Sequence, residues 1–363
     1  MIHLPPIPAP PLLRRWLVLI VITLLATIGL AALQIPSAAL FAGLFIATIL
    51  ALRGFAPDGV NPRLVIAAQS VLGTMIGMLV QASTLRALGG HIVAVLIVTT
   101  ATLLVSIAAG LLLSLRRDVD PITGTLALTT GGASAIVSLA AQFGGDDRMV
   151  AIVQYLRVGL VTASMPLIVA LAFHPPHHPA AAAHPATAPW FIGLAILILS
   201  ATLGLLLARV TRLPAGTLLG PMIIAGAITL SGIAPGAIVP LPLIDLAYAL
   251  IGWQAGLKFT LSRLKQVGRA LPAALTLIIL VNFICAGLGV LLAHLTGVSA
   301  YDGYLATVPG GIYAALALAI SSRTDVTFVL AVHVLRVVML MFAMPLFVRL
   351  LRRFTAPGMA NDV

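Results

Sequence analysis

The sequence predicts an all-α integral membrane protein built from two inverted-topology repeats, with about ten transmembrane helices plus two broken or re-entrant Gly-Gly segments. Composition is the first reason. Hydrophobic residues make up 61% of the 363 positions and charged residues 8%, with a mean hydropathy of +1.17, whereas a soluble domain carries roughly a quarter charged residues. Apolar runs of the length that spans a bilayer core also recur along the chain. The third reason is an internal repeat.

The repeat is clearest at two glycine doublets. TTGGASA at 129–135 is echoed by TVPGGIYA at 307–314, which places the two doublets 179 positions apart. Several independent motifs share this spacing, so residues 16–173 and 190–351 are interpreted as duplicated membrane halves. The spacing carries Gly73 and Gly77 onto Gly252 and Gly256, Arg157 onto Arg336, and Met165-Pro166 onto Met344-Pro345.

Three regions lie outside the two halves. Residues 174–189, HPPHHPAAAAHPATAP, are rich in Pro and Ala and are typical of an irregular linker. The linker holds four histidines but no acidic or cysteine partner, so no metal site is expected there. Residues 1–15 and 352–363 are interpreted as short cytoplasmic tails, which leave little room for a cytoplasmic output surface.

Each half contains six apolar segments, and the positions of Lys and Arg decide how many of them cross the membrane. If all twelve segments cross, the 18 loop cations divide nine to nine between the two sides, against the positive-inside tendency. If the fifth segment of each half, which carries Gly-Gly, enters and leaves on one side, the division becomes sixteen to two. The segments begin near Trp16, Pro36, Pro62, His91, Pro121 and Arg148, and near Trp190, Pro214, Pro242, Pro272, Ala300 and Asp325.

This charge count predicts the topology. Each half would cross five times, so the second half would be inverted relative to the first. We expect a multi-pass protein of the bacterial inner (plasma) membrane, with both termini cytoplasmic and the linker on the opposite side. Inverted repeats with Gly-interrupted segments at matching positions are typical of the binding site of secondary transporters.

The Gly-Gly segments are therefore the first candidate substrate-binding site. They offer backbone and hydroxyl groups that suit a small polar ligand or an ion, although glycines can also serve close helix packing. The candidate residues are Thr129, Thr130, Gly131, Gly132, Ser134, Thr307, Gly310, Gly311 and Tyr313.

Arg157 and Arg336 are the only basic residues well inside apolar segments, where a charged side chain is costly and needs a partner. Either they bind anionic substrate groups or they bond the carbonyls freed by the Gly-Gly breaks. Gln154 and His333 each precede an arginine by three positions and so share its helix face. His333 could exchange a coupling proton, or it could be a hydrogen-bonded packing residue. Apart from Asp245, we expect no intramembrane Asp or Glu.

Other function classes find little support. The net charge of +11 is distributed between apolar runs rather than along one helix face, so direct nucleic-acid binding is not expected. One cysteine, Cys285, allows no disulfide within the chain. No catalytic residues, cofactor or metal site are predicted, and we do not expect an enzyme.

The two stretches GGASAIVSLAAQFGGDDRMVAIVQYLRV and PGGIYAALALAISSRTDVTFVLAVHVLRVVM resemble the duplicated signature of the AbrB-type membrane protein family, over nearly the whole chain. The family carries the labels AbrB family transcriptional regulator and ammonia monooxygenase. The resemblance implies a link to regulation of gene expression. Ala135 and Ala314 stand where the family commonly has glutamate, and Thr130 replaces a proline, so chemistry assigned to those glutamates does not carry over.

Two functions remain open. The first is a secondary transporter or permease for a small polar or anionic metabolite, working by movement of the Gly-Gly and arginine core. The second is a membrane-bound regulator that acts through a ligand or a partner, as the family label implies. No DNA-reading element and no metal-ligand cluster suited to an oxygenase are present in the sequence. Expected partners are membrane lipid, the substrate, a coupling proton or sodium ion and, by analogy, a second copy.

Overall fold

The computed structural model describes residues 12–355, apart from 34, 36, 131–132, 174–187, 212, 214 and 323. The described residues form α-helices and no strands, eight helices on each side of the linker. Before the linker these are α1 Leu12–Ala32, α2 Ala38–Leu52, α3 Pro62–Met78, α4 Ala82–Gly90, α5 Ile92–Leu113, α6 Pro121–Leu128, α7 Ala133–Phe143 and α8 Asp147–Ile168, which continues as a π-helix over Val169–Phe173. After it come α9 Trp190–Thr211, α10 Gly216–Leu230, α11 Leu241–Gly256, α12 Leu261–Val267, α13 Leu271–Thr296, α14 Ala300–Thr307, α15 Ile312–Ser321 and α16 Val326–Thr355.

Five helical stretches are long and apolar enough to cross a membrane: Leu12–Ala32, Ile92–Leu113, Asp147–Phe173, Trp190–Thr211 and Leu261–Thr296. Helices α2, α3, α10 and α11 have 15, 17, 15 and 16 residues, fewer than the roughly 20 that span a bilayer core. The protein is thus helical, with several apolar helices that could span a membrane. The count of about ten crossings stays a prediction.

Local sequence signals start the helices that carry the site. Asp120 accepts hydrogen bonds from the backbone amides of Ile122 and Thr123 at the start of α6, and Pro121 occupies the first turn. Asp146 does the same for the first turn of α8, and Ser299 for α14. Such side chains satisfy amides that have no partner within the helix.

The helices fall into two groups. We call α1–α3 with α9–α11 the scaffold group, in which α2 packs on α11 and α3 on α10. We call α5–α8 with α13–α16 the core group, in which α5 packs on α6, α13 on α14, and α5 on α13. Helix α8 lies against both groups, since it also contacts α2 and α11. Each group contains helices from both halves of the sequence.

Glycines allow the closest contacts within the scaffold group. A Cβ atom at Gly73 would lie within 3.0 Å of the Leu218 carbonyl oxygen of α10, and one at Gly252 within 3.0 Å of the Leu40 carbonyl oxygen of α2. The second glycine of each G-x-x-x-G motif meets a carbonyl of the same neighbouring helix equally closely. These glycine pairs therefore serve close contact between helices.

Both segments that carry a glycine doublet are broken. Helix α6 ends at Leu128 and α7 begins at Ala133, while α14 ends at Thr307 and α15 begins at Ile312. Gly311, with φ +69°, takes a left-handed conformation that favours glycine. Gly131 and Gly132 lie outside the described residues.

Some predicted boundaries differ from the observed ones. Helix α1 begins at Leu12, inside the predicted N-terminal tail, and α16 continues to Thr355, past the predicted start of the C-terminal tail. The short helices α4 and α12, each of which follows a G-x-x-x-G helix, were not predicted. Most of the 174–189 linker lies outside the described residues.

Candidate functional site

The site begins with Arg157 on α8. Its side chain is 3% exposed, and its Nη1 donates to the carbonyl oxygens of Leu128 at 3.0 Å and Thr129 at 2.7 Å. These carbonyls end α6, where no further helical turn supplies donors. A positive charge there also interacts favourably with the C-terminal end of the helix dipole. Arg157 therefore closes the broken end of α6.

Arg336 on α16 does the same in the second half. Its Nη1 donates to the carbonyl oxygens of Thr307 at 3.1 Å and Val308 at 2.8 Å, where α14 ends. Donor and acceptors all lie 179 positions after those of the first half. The structural alternative stated from the sequence, that the arginines bond carbonyls freed by the breaks, thus describes both sites.

A neutral side chain holds each arginine. Gln154 Nε2 donates to the carbonyl oxygens of Leu126 at 2.7 Å and Thr129 at 2.9 Å, and its Oε1 accepts from Arg157 Nη2 at 2.8 Å. His333 Nδ1 lies 2.8 Å from Arg336 Nη2, and its Nε2 lies 3.0 Å from the Leu305 carbonyl oxygen.

Because a guanidinium only donates, His333 Nδ1 is the acceptor and Nε2 carries the proton. Both ring nitrogens are therefore occupied, and a second proton would face an arginine N–H. This geometry gives no support to the proton exchange considered for His333.

One donor of each arginine is left over. Nε of Arg157 and Nε of Arg336 are buried, with no hydrogen-bond partner among the described residues. The only ion pair among the described residues joins Arg116 to Asp118. Both residues lie at the surface and are distant in sequence from Arg157 and Arg336. Arg336 lies close enough to Arg157 for the two positive charges to repel each other. The core group thus holds two buried arginines that have no carboxylate partner among the described residues.

The free donor of Arg157 faces the break in the other half. A Cβ atom at Gly310 would lie 3.7 Å from Arg157 Nε and 3.6 Å from Val158 Cα, which are ordinary contact distances. A Cβ atom at Gly311 would come within 3.0 Å of the Thr162 hydroxyl, also on α8. The structure therefore brings together Arg157, Gly310 and Gly311 from opposite halves.

The predicted hydroxyl groups are used locally. Thr129 Oγ1 donates to the Thr125 carbonyl oxygen at 2.7 Å, and Thr307 Oγ1 donates to that of Cys285 at 2.8 Å. Thr130 Oγ1 lies 3.4 Å from the hydroxyl oxygen of Ser106. These hydroxyl groups form hydrogen bonds within or between helices around the site, and none of them bonds the Nε atom of Arg157 or Arg336.

Tyr313, on α15, has its hydroxyl close to the side chain of Gln69 of α3. Gly131 and Gly132 lie outside the described residues, and for Ser134 only the backbone of α7 is described. The link from Tyr313 to Gln69 joins the core group to the scaffold group.

Sequence reasoning missed several polar residues. Thr162 lies against Gly311, and Gln69 accepts a hydrogen bond from Thr217 of α10. A buried carboxylate near the start of α14 was also missed: Asp302 is 6% exposed and accepts from Ser299 Oγ at 2.6 Å and from the Asp325 amide at 3.2 Å. For Asp302, the available signal in the sequence was its position as a polar residue at the very start of an apolar segment.

Fold and site together define an all-helical protein with a buried arginine pair at two helix breaks, in which five helical stretches could cross a membrane. The chain belongs to the AbrB family, described as "Transition state regulatory protein AbrB". The sequence model of this family matches residues 56–352. This confirms the resemblance stated from the repeated signature.

Two relatives match most of their own length. The "Putative regulator AbrB" of Escherichia coli (strain K12) is 33% identical over 345 residues, covering 94% of this chain and 97% of that protein. The "Uncharacterized protein YhjN" of Bacillus subtilis (strain 168) is 29% identical over 321 residues, covering 82% and 81%. No solved structure matches the chain.

Proposed function

We propose that the protein is a secondary transporter that binds a small anion between Arg157 and Arg336 and carries it across the bacterial inner membrane. The observation that carries the proposal is the pair of buried Nε donors that have no hydrogen-bond partner within the part of the chain that the structure describes. A buried charge without a counterion is costly, and an anion within reach of both guanidiniums would offset much of that cost. The carbonyl bonds already hold each side chain in place, so little ordering is needed when an anion binds.

The helix breaks support the same function. Backbone that has left the helical pattern at membrane depth is tolerated only inside protein or beside a water-filled cavity. Here both breaks lie in the core group and are closed by an arginine. A cavity at this place would have the free Nε donors on its wall.

The two helix groups suggest how the site becomes accessible from each side. Helix α8 carries Arg157 and contacts α2 and α11 of the scaffold group. We infer that the core group moves against the scaffold group, which the close glycine contacts of α2 with α11 and α3 with α10 keep together. Inverted halves would make the two end states of this motion similar.

The inverted arrangement rests on the charge count and is tested by labelling. In a Cys285→Ala background, single cysteines at Ala182 and Arg263 are expected to react with a membrane-impermeant thiol reagent from opposite sides. Reaction of both from the same side would contradict the inverted topology.

A regulator remains the second candidate because a 33% identical relative is named as a regulator. A regulator would need the same anion site for sensing, but it would not move the anion. Binding and flux therefore distinguish the two functions.

The deciding experiment is flux in proteoliposomes. Purified protein would be reconstituted and assayed for uptake of radiolabelled carboxylates, phosphate and sulfate, beside Arg157→Lys and Arg336→Lys. Lysine keeps the charge and can still donate to the carbonyls, but it lacks the Nε–H at its position. Uptake of one anion by the native protein that both variants lose supports transport. Binding of that anion without flux supports the regulator.

A further inference from the structure

A second group of arginines lies apart from the buried pair. Arg15, Arg53 and Arg263 line a cavity of about 550 Å³ formed where α1 begins, α2 ends and α12 begins. Asp58 is the only acidic residue of its lining, so the formal charge of the lining is positive. Among the described residues, none of these arginines forms an ion pair.

The donors of this cavity are incompletely used. Arg15 Nη1 donates to the Ala56 carbonyl oxygen at 3.3 Å, while Arg15 Nε is buried without a partner in the described part of the chain. Thr260 and Ser262 add two hydroxyls to the lining, 3.1 Å apart. Three guanidiniums with hydroxyls beside them suit an anion that offers several oxygens, as phosphate does.

The positive field extends beyond the lining. Lys258 lies in the turn between α11 and α12, with its Nζ 5.1 Å from the ring centroid of Tyr155 on α8. Burial, and then the charge of Arg263, lower the pKa of Lys258. The turn that closes the cavity therefore also contacts the helix that carries Arg157.

We propose that this cavity binds a phosphate group, supplied either by the headgroup of an anionic phospholipid or by a soluble phosphate. Clusters of arginine and lysine next to transmembrane helices commonly bind anionic headgroups. The cavity joins α1 and α2 of the scaffold group to α12, which packs on α8, so a bound phosphate would connect the scaffold to the arginine helix. The site does not depend on transport.

The test uses the full chain in a neutral detergent, with binding measured by native mass spectrometry and by thermal denaturation. The probes are phosphatidylglycerol, phosphatidylcholine and, at matched ionic strength against chloride, inorganic phosphate. The variants are Arg53→Gln and Arg263→Gln. Arg117→Gln is the matched control, because Arg117 is an exposed arginine outside the cavity.

We expect phosphatidylglycerol to bind more tightly than phosphatidylcholine and to raise the melting temperature. Each cavity variant should weaken its affinity by about tenfold, as expected for loss of one charge-assisted contact, while Arg117→Gln binds as the native protein does. The same stabilisation by inorganic phosphate would assign the site to a soluble phosphate, and stabilisation by the lipid alone to a headgroup.

Equal affinity for the two lipids together with no effect of phosphate, or equal weakening by Arg117→Gln, would overturn the proposal. Arg157→Lys, which alters the central site, should leave phosphatidylglycerol binding unchanged. A failure of the transporter proposal is thereby distinguished from a failure of this one.

Discussion

The two arginine clusters differ in the side chain that contacts the arginine, and that difference shows what this side chain does. In the first half an amide, Gln154, accepts from Arg157 and donates to the Leu126 carbonyl oxygen. In the second half an imidazole, His333, occupies the same place between Arg336 and the Leu305 carbonyl oxygen. An amide cannot titrate near neutral pH, yet it builds the same cluster. The role common to both residues is therefore to position the arginine.

The largest effect should come from removing either arginine. Arg336→Leu leaves the carbonyl oxygens of Thr307 and Val308 and the acceptor of His333 without a donor. Arg157→Leu leaves the Leu128 carbonyl oxygen and the acceptor of Gln154 without a donor, while the Thr129 carbonyl oxygen keeps only its bond from Gln154. We expect each to lower the free energy of unfolding by about 3 kcal/mol. Lysine at either position should cost about half as much, because it can still reach the carbonyls.

Unfolding in mixed micelles with increasing sodium dodecyl sulfate measures these differences. Similar losses in both halves are expected, since the bonds are equivalent. A loss confined to one half would show that the two clusters are not alike.

Alanine substitutions at the two glycines of the second doublet should affect different properties, stability at Gly311 and anion binding at Gly310. Gly311→Ala meets the Thr162 hydroxyl and must keep a left-handed φ, so we expect a loss of about 2 to 3 kcal/mol. Gly310→Ala meets only ordinary contacts and should cost less than about 1 kcal/mol. Its methyl group would, however, occupy space beside Arg157 Nε and weaken anion binding.

Thermal denaturation with and without the bound anion tests this pair. Thr162→Ala should restore part of the stability of Gly311→Ala but none of the binding lost in Gly310→Ala. Normal anion binding by Gly310→Ala would argue against a site at Arg157 Nε.

Exchanging the positioning residues should have a smaller effect. His333→Gln keeps one acceptor and one donor, and Gln154→His loses only the bond to the Thr129 carbonyl oxygen, which Arg157 also bonds. Stability should therefore change by less than about 1 kcal/mol. His333→Leu, the control, leaves a carbonyl and an arginine donor unpaired and should cost about 2 kcal/mol. The same unfolding assay applies, and flux should survive the exchange. Loss of flux in a stable His333→Gln variant would indicate proton exchange by His333.

The smallest effect concerns the turn between α5 and α6, which holds an ion pair that the matching turn in the second half lacks. Arg116 Nε lies 3.0 Å from Asp118 Oδ1, and this hydrogen bond lowers the pKa of Asp118. Its contribution to stability is present above the ordinary pKa of the carboxyl and is lost as pH falls through the lowered value. Because the pair is exposed, Asp118→Asn should shift the melting temperature by no more than about 1 °C at neutral pH. A larger shift would show that the Arg116–Asp118 pair stabilises the protein more than an exposed ion pair should.

Much of the site followed from the sequence because the repeat spacing identifies equivalent residues. The spacing of 179 related the arginines and the doublets, and the spacing of three placed Gln154 and His333 on the faces of their arginines. Hydrophobicity alone predicted the apolar segments, but it could not distinguish helices of 15 residues from longer ones that could cross a membrane.

Contacts between helices could not be derived in the same way. Periodicity describes the faces of one helix, not the helix that each face meets. The approach of Gly310 to Arg157, the bond between Gln69 and Thr217, and the burial of Asp302 all depend on packing between segments far apart in the chain. The short helices α4 and α12 lack a long apolar run and gave no signal.

The most direct test of an anion site between the arginines is a thermal-stability screen of the detergent-purified protein against carboxylates, phosphate, sulfate, amines and metal cations. A ligand raises the melting temperature only if it binds the folded state more tightly than the unfolded state. We expect an anion to stabilise the native protein and His333→Gln, but not Arg157→Lys or Arg336→Lys. Stabilisation by an anion that persists in both lysine variants would contradict it, and would leave the arginines with their structural role alone.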